Sequence, residues 1–358
     1  MKTIDRYLTE FFVKNFLLTL VGLTAVFVFQ AMLTQLVDGE FSVGQLLYYH
    51  LLGVPRIVAQ FAPPSVMIAT LMTLSGLNRS QELVACYSIG IGLPRIAMVM
   101  LSLAFMVSCG LLVLQDRVVP PLHKRQTIFY QRDMKKREDF MLDFKQDRIW
   151  YRSKKLIYNL RTFDPKKNII YGMAVYTFDD LFNLIQVIDA KRAIFSRDGW
   201  RLLDGSITVF DPKDAFPLTE GFKERKLKLS ESPEDFTAIE REVEGLRLKE
   251  LYRYIQKSRQ AGADTKANEV RFHSRISLSF VPLVMCVLAF PFAVRGRREG
   301  GVAKDLALCL GVTFFYWLFY SIGLSLGTNG ALPPWLAAWL PSGVFGVFAG
   351  LLLFRLRT

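Results

Sequence analysis

Long stretches with almost no charge alternate along this chain with stretches where charge is dense. Crossing roughly 30 Å of hydrocarbon takes about 20 helical residues. Runs of that order extend from Phe11 to Leu36, Ile57 to Leu77, Pro94 to Leu114, Ser274 to Val294, Val302 to Leu326 and Trp335 to Phe354. The pattern predicts six transmembrane helices, three on each side of a long polar gap. Residues 11–36 resemble a secretory leader only superficially. The run exceeds the usual h-region of about 7 to 15 residues, no A-x-A pattern follows, and the segment reads as a membrane anchor.

Inside the gap the periodicity changes. From Arg148 to Phe210, IWYRS, KLIYNLRTF, NIIYGMAVYTF, NLIQVIDAKRAIF and WRLLDGSITVF read as successive strands. Asp164-Pro165, Asp198-Gly199, Asp204-Gly205 and Asp211-Pro212 supply turn chemistry. Antiparallel β structure follows, as a sandwich or a roll. Some strands are apolar on both faces, as at Ile169, Ile170, Met173, Ala174 and Val175. A two-layer core explains this, and so does a roll holding acyl chains. From Gly245 the helical period returns: Leu248, Leu251, Tyr254 and Ile255 share one face, Lys249, Arg253 and Lys257 the other, and Gly262 is placed as a stop. The expected organisation is a six-helix membrane protein interrupted by an all-β domain between helices 3 and 4. Residues 1–115 hold three spans with a short helix at 78–90, 116–245 the β domain, 246–272 a connecting helix and 273–358 three more spans.

Composition agrees, with 51% hydrophobic residues and 29 Phe. Lys and Arg in short connections resist translocation. Lys2 and Arg6, Arg79 and Arg95, Arg295, Arg297, Arg298 and Lys304, and Arg355 and Arg357 all fall on one side of a six-span chain. Both termini are therefore expected in the cytoplasm and the insert on the opposite side. The net charge of +13 then points to anionic lipid or polysaccharide rather than nucleic acid. Cys86, Cys109, Cys286 and Cys309 lie in or beside spans, so no disulfide framework or C-x-x-C metal site is available outside the membrane.

Catalytic motifs are not evident. No Walker A pattern occurs, and GRREGGVAK from Gly296 lacks the Gly-Lys-Ser/Thr ending that cradles phosphates. G-x-S-x-G is missing, and His50, His123 and His273 have no metal-ligand spacing. Three features remain. NRSQELVACYSIG, Asn78 to Gly90, is an amphipathic helix between two spans, with Leu83, Val84, Tyr87 and Ile91 as its stripe and Arg79, Gln81 and Glu82 polar. It can dock in a groove on a soluble partner or lie against headgroups. Arg56, Arg117, Lys124, Arg271 and Arg275 stand at the opposite ends of spans, as phosphate ligands or as snorkelling anchors. Pro63-Pro64, Pro282 and Pro291 bend helices without proving a hinge.

Order and motifs together are similar to a known family. D-R-Y (Asp5 to Tyr7), L-G-V-P (Leu52 to Pro55), S-Q-E-L-V-A-C-Y-S-I-G (Ser80 to Gly90), L-K-E-L-Y-R-Y-I (Leu248 to Ile255) and L-P-P-W-L-A-A-W-L-P (Leu332 to Pro341) follow one another. With the topology, this resembles the LptF/LptG lipopolysaccharide export permeases over nearly the whole chain. I-W-Y-R-S…L-I-Y-N-L (Ile149 to Leu160) and A-W-L-P look closer to the LptG branch.

The resemblance implies a non-enzymatic permease subunit of an ABC transporter in the bacterial inner membrane, with no cofactor of its own. ATP and Mg would be used by an LptB-type ATPase dimer, on which an LptF and LptG pair sits. Lipopolysaccharide would pass through a jellyroll-like periplasmic domain to LptC and an LptA-type bridge. The short helix would be the coupling helix received by the ATPase, through Arg79, Ser80, Glu82, Leu83, Tyr87 and Gly90. Where relatives often carry a basic residue on span one, this chain has Gln30, Gln35 and Asp38. Phosphate contacts would then move to Arg56, Arg117 or Arg275. A membrane-anchored envelope sensor or scaffold and a lipid-modifying membrane enzyme are the rival classes.

Overall fold

The computed structural model describes residues 2–37, 41–134, 142–145, 148–153, 156–164, 168–179, 183–196, 199–210, 217–227, 245–260, 264–295 and 302–354. Asp38, Pro165, Asp198, Asp211-Pro212, Gly262, Gly296 to Gly301 (with Arg297 and Arg298), Arg355 and Arg357 lie outside these. The chain divides into two compact units, residues 1–122 with 266–358, and residues 123–265.

In the first unit, α1 (Lys2–Val37) is followed by α2 (Val43–Arg79). Ser42 starts α2 with a capping box: the Gln45 N–H donates to Ser42 Oγ at 3.3 Å, and the Ser42 N–H donates to Gln45 Oε1 at 3.1 Å. Two donors that the first turn would otherwise leave unpaired are thereby satisfied. α3 (Glu82–Ser88) and α4 (Leu93–Val113) follow, the latter with Pro94 in its opening turn, where no N–H is needed. α4 runs on through a π-helical segment (Leu114–Val118), α5 (Val119–Phe129) and a second π segment (Tyr130–Met134).

After the β strands come α6 (Leu248–Gln260), α7 (Lys266–Arg295), α8 (Val302–Thr328) and α9 (Pro334–Phe354). Among the described residues, six helices are long and apolar enough to cross a membrane. α2 and α7 are the centre: 72% and 61% of their most apolar windows are buried, against none for α1. Val66, Met67, Leu71 and Leu74 of α2 pack in one cluster with Val281, Met285 and Phe290 of α7. Polar ties hold the helices where water cannot compete: Ser277 Oγ donates to the Ala338 carbonyl at 2.6 Å, and the hydroxyls of Tyr316 and Ser342 pair at 2.8 Å.

These helices exceed the apolar runs, because charged residues at a span's ends remain helical. Arg56, expected before the second span, lies inside α2, and Arg271 and Arg275, expected before the fourth, lie inside α7. The expected domain boundary at residue 115 falls within continuous helix, and the contact boundary lies after Leu122. The expected connecting helix resolves into α6 and the first turns of α7.

The second unit holds one antiparallel sheet in which chain neighbours are also sheet neighbours: β1 (Leu142–Lys145), β2 (Arg148–Ser153), β3 (Leu156–Asp164), β4 (Ile169–Phe178), β5 (Leu184–Ser196), β6 (Gly199–Val209) and β7 (Leu218–Leu227). Its core joins Tyr158, Leu160, Ile170, Met173, Val175, Ile188, Ala193, Trp200 and Leu202. Along most of a strand such residues recur every second position, but β3, β4 and β5 each take one step of three, at Leu160–Phe163, Ile170–Met173 and Ala190–Ala193. The step follows a line across the sheet, where Arg161, Gly172, Lys191, Asp204 and Lys223 drop out of the paired registers. Gly172 (φ 64°) and Asp204 (φ 53°) adopt the left-handed conformation on that line. Such a bend shifts the alternation by one residue. This accounts for the apolar run around Met173: Ile170, Met173 and Val175 all join the same core because the phase changes at Gly172.

Candidate functional site

The segment between α2 and α4 is built to stand at a sharp angle. Ser80 Oγ donates back to the Gly76 carbonyl at 3.1 Å, ending α2, and Gln81 then takes φ 61°. After the seven residues of α3, Gly90 at φ 82° closes the helix. Its N–H donates to the Tyr87 carbonyl at 3.0 Å, and the Ile91 N–H donates to the Cys86 carbonyl at 2.9 Å. That pair of bonds is a Schellman stop, which a Cβ at the left-handed position would strain.

A helix this short has little intrinsic stability, so tertiary contacts set its orientation. Leu83, which the sequence placed in the docking stripe, is 3% exposed and packs in the unit's own core with Leu8, Phe12, Leu77 and Ile96. Val84, Tyr87 and Ile89 face outward at 55%, 41% and 67% exposure. Partial burial holds the Tyr87 phenol above its ordinary value, leaving it a neutral O–H donor. Arg79 and Ser80 are exposed. Glu82 has a neighbour within the chain: the Tyr7 phenol of α1 lies beside its carboxylate. Two residues earlier on α1, Asp5 Oδ2 accepts from Arg95 Nη2 of α4 at 2.7 Å.

At the far end of the same unit lie most of the expected lipid-contacting residues. α2 and α7 run the same way, since Met67 meets Thr313 of α8 and Thr70 Oγ1 approaches Cys286 Sγ at 3.6 Å, while α8 runs antiparallel to α7. At about 1.5 Å per residue, Arg56 lies about 21 Å and Arg271 about 22 Å from the Thr70–Cys286 contact, toward one end, with Arg275 about 16 Å along. Arg117 belongs to that end too, because Leu111 and Leu114 below it pack on Ala59 and Ala62. α1 is antiparallel to α2 through Asn15–Thr73, Phe27–Phe61 and Gln35–His50, which carries Gln30 and Gln35 there as well. Gln35 Oε1 is 3.2 Å from His50 Nε2. Lys124 belongs to the second unit. Among the described residues, no group of three or more His, Cys, Asp or Glu is placed to hold a metal.

A model of the family described as lipopolysaccharide export system permease LptF/LptG matches residues 6–355. The chain belongs to the LptF/LptG family. It is similar to the lipopolysaccharide export system permease protein LptG of Haemophilus influenzae, with 26% identity over 372 aligned positions that take in 100% of this chain and 99% of that protein. The chain is thus a lipopolysaccharide export permease subunit and a multi-pass inner-membrane protein.

In this LptF/LptG member the Asp5–Arg95 pair and the approach of Tyr7 to Glu82 were not expected from the sequence. D-R-Y served only as a family marker and Arg95 only as a topology charge. The available signal was an acid and a phenol before the first span, set against a base and an acid flanking the short helix.

Proposed function

We propose that this permease subunit sits in the inner membrane with both termini in the cytoplasm and the β unit in the periplasm, and that a separate ATPase docks on α3. The observation that carries this reading is the two-sided character of α3. Leu83 anchors it in the chain's own core, while Val84, Tyr87 and Ile89 present an apolar patch on a rigid support. An apolar face of this kind suits a groove on a soluble partner. Arg79, Ser80 and Glu82 supply the polar rim, and Gly90 supplies the turn that sets its angle.

At the opposite end, Arg56, Arg117, Arg271 and Arg275, with Gln30 and Gln35, offer charge and hydrogen bonds to the phosphate and sugar groups of the lipid. Arginine suits phosphate through its bidentate geometry. Lys124, in the second unit, is a further basic candidate. Nucleotide would be bound by the ATPase, with a second permease of the LptF kind completing the pair. An LptC-like partner and an LptA-like bridge would receive the lipid.

The test is isolation of the complex from native membranes with identification of what accompanies it. A nucleotide-hydrolysing subunit should be recovered with the parent protein. Val84→Asp should reduce it by at least about tenfold, as for loss of a central apolar anchor. Recovery at the parental level from V84D, or no such subunit with the parent, sinks the docking assignment. Arg56→Glu and Arg275→Glu should each lower photo-cross-linking to lipopolysaccharide while leaving the ATPase bound.

A further inference from the structure

The first turns of α1 touch every part of the segment that turns α2 into α4. Phe11 lies over Gly76 near the end of α2, so closely that a Cβ there would sit 3.1 Å from Phe11 Cε1. Tyr7, whose ring stacks on Phe11 at 6.2 Å, reaches Glu82 at the start of α3. Asp5 reaches Arg95 at the start of α4. Leu8 and Phe12, on the inward face between them, share a core cluster with Leu77, Leu83 and Ile96.

α1 is thus joined to α3 by the apolar packing of Leu8 and Phe12 with Leu83 and by Tyr7 beside Glu82, and to the start of α4 by the Asp5–Arg95 ion pair. No covalent path shorter than the whole of α2 joins α1 to either. Along its length α1 packs on α2, through Asn15–Thr73, Phe27–Phe61 and Gln35–His50.

We propose that Asp5, Tyr7 and Arg95 are positioning residues that fasten the first membrane helix to the coupling segment, Tyr7 at the start of α3 and Asp5 through Arg95 at the start of α4, so that displacement of that segment moves α1 directly as well as through α2. The inference rests on the docking of an ATPase at α3 proposed above. The ion pair is partly solvated: the side chains of Asp5 and Arg95 are 34% and 42% exposed. Exposed pairs are individually weak. They can re-form within each cycle without trapping the transporter.

A charge-reversal cycle tests this in the complete assembly purified from native membranes and returned to proteoliposomes. The measured quantity is lipopolysaccharide released per ATP hydrolysed. Asp5→Arg and Arg95→Asp should each lower that ratio by about fivefold, the lower range for coupling between linked sites, and the double variant should recover at least half of it. Tyr7→Phe should lower it by about twofold with the ATPase still bound, again within the scale of a single exposed contact.

Hydrogen exchange on the purified permease alone provides a readout independent of any ATPase. D5R and R95D should raise exchange at 82–88, the double variant should reverse the rise, and protection at 62–75 of α2 should remain to show that the fold is intact. If the parent assembly carries its ATPase and neither single reversal changes the ratio, or the double variant does not rescue it, the fastening of α1 is overturned while the docking reading stands. If the parent carries no ATPase, the docking reading fails, and the exchange cycle still decides whether α1 holds α3.

Discussion

α1 and α2 are neighbours of almost equal length, 36 and 37 residues, in opposite circumstances. The more apolar of the two, α1, has none of its most apolar window buried within the chain, whereas α2 has 72% buried. In water the more apolar helix would be expected inside. In a bilayer the lipid tails are as apolar as leucine, so hydropathy reports that a helix is at membrane depth and not that it is central. α2 occupies the centre because small and polar residues let other helices approach it: Ala62, Ser65, Ala69, Thr70, Thr73 and Ser75 are all buried. Thr73 and Thr70 find partners there: Asn15 Nδ2 donates to Thr73 Oγ1 at 3.3 Å, and Thr70 Oγ1 donates to the Val66 carbonyl at 2.8 Å.

The largest test of this contrast is a matched pair of truncations. Leu71→Ala, at 1% exposure, should cost about 2 to 5 kcal/mol through lost contacts and a cavity. Leu18→Ala, at 66% exposure, should stay within about 0.5 kcal/mol. Reversible unfolding of the isolated permease in bilayers or mild detergent measures both, and equal costs would dissolve the distinction between centre and periphery.

A second pair uses glycine. Gly76→Val places a branched side chain where a Cβ already sits 3.1 Å from Phe11, and overpacking should cost about 1 to 3 kcal/mol. Gly22→Val on α1 meets nothing within 4 Å, so thermal melting should leave it within about 0.5 kcal/mol of the parent. Smaller still is Asn15→Ala, expected at about 0.6 kcal/mol, the mean for interhelical hydrogen bonds in a membrane. A double cycle with Thr73→Ala isolates that term. A coupling energy of zero would leave small-residue packing alone as the reason for the position of α2.

Much of the architecture was legible beforehand because bilayer thickness imposes a length on every span and strands impose their own period. The ends of the helices were less legible. Arg56, Arg271 and Arg275 lie inside α2 and α7 since hydropathy marks hydrocarbon and not hydrogen bonding. Strand locations could be read from IWYRS onward, yet the apolar pattern around Met173 remained ambiguous between a two-layer core and a roll. Its cause is a bend at Gly172 shared with neighbouring strands, and cross-strand register is not written in any one segment.

The candidate coupling site shows the same division. Its place and amphipathic character could be read directly; its length could not, since the expected 78–90 resolves into the end of α2, the seven residues of α3 and a turn at Gly90. Which face is free could not: Leu83, assigned to the docking stripe, belongs to the internal core.

By itself the sequence determined six spans, an inserted β region, a short helix between spans two and three, and membership of a permease family, because each rests on length, period or local motif. Only the tertiary structure decided that α2 and α7 are central and that the sheet bends along one line. It also decided that Asp5 and Tyr7 reach Arg95 and Glu82. Those outcomes depend on which surfaces meet, and residues some ninety positions apart carry no local record of their contact.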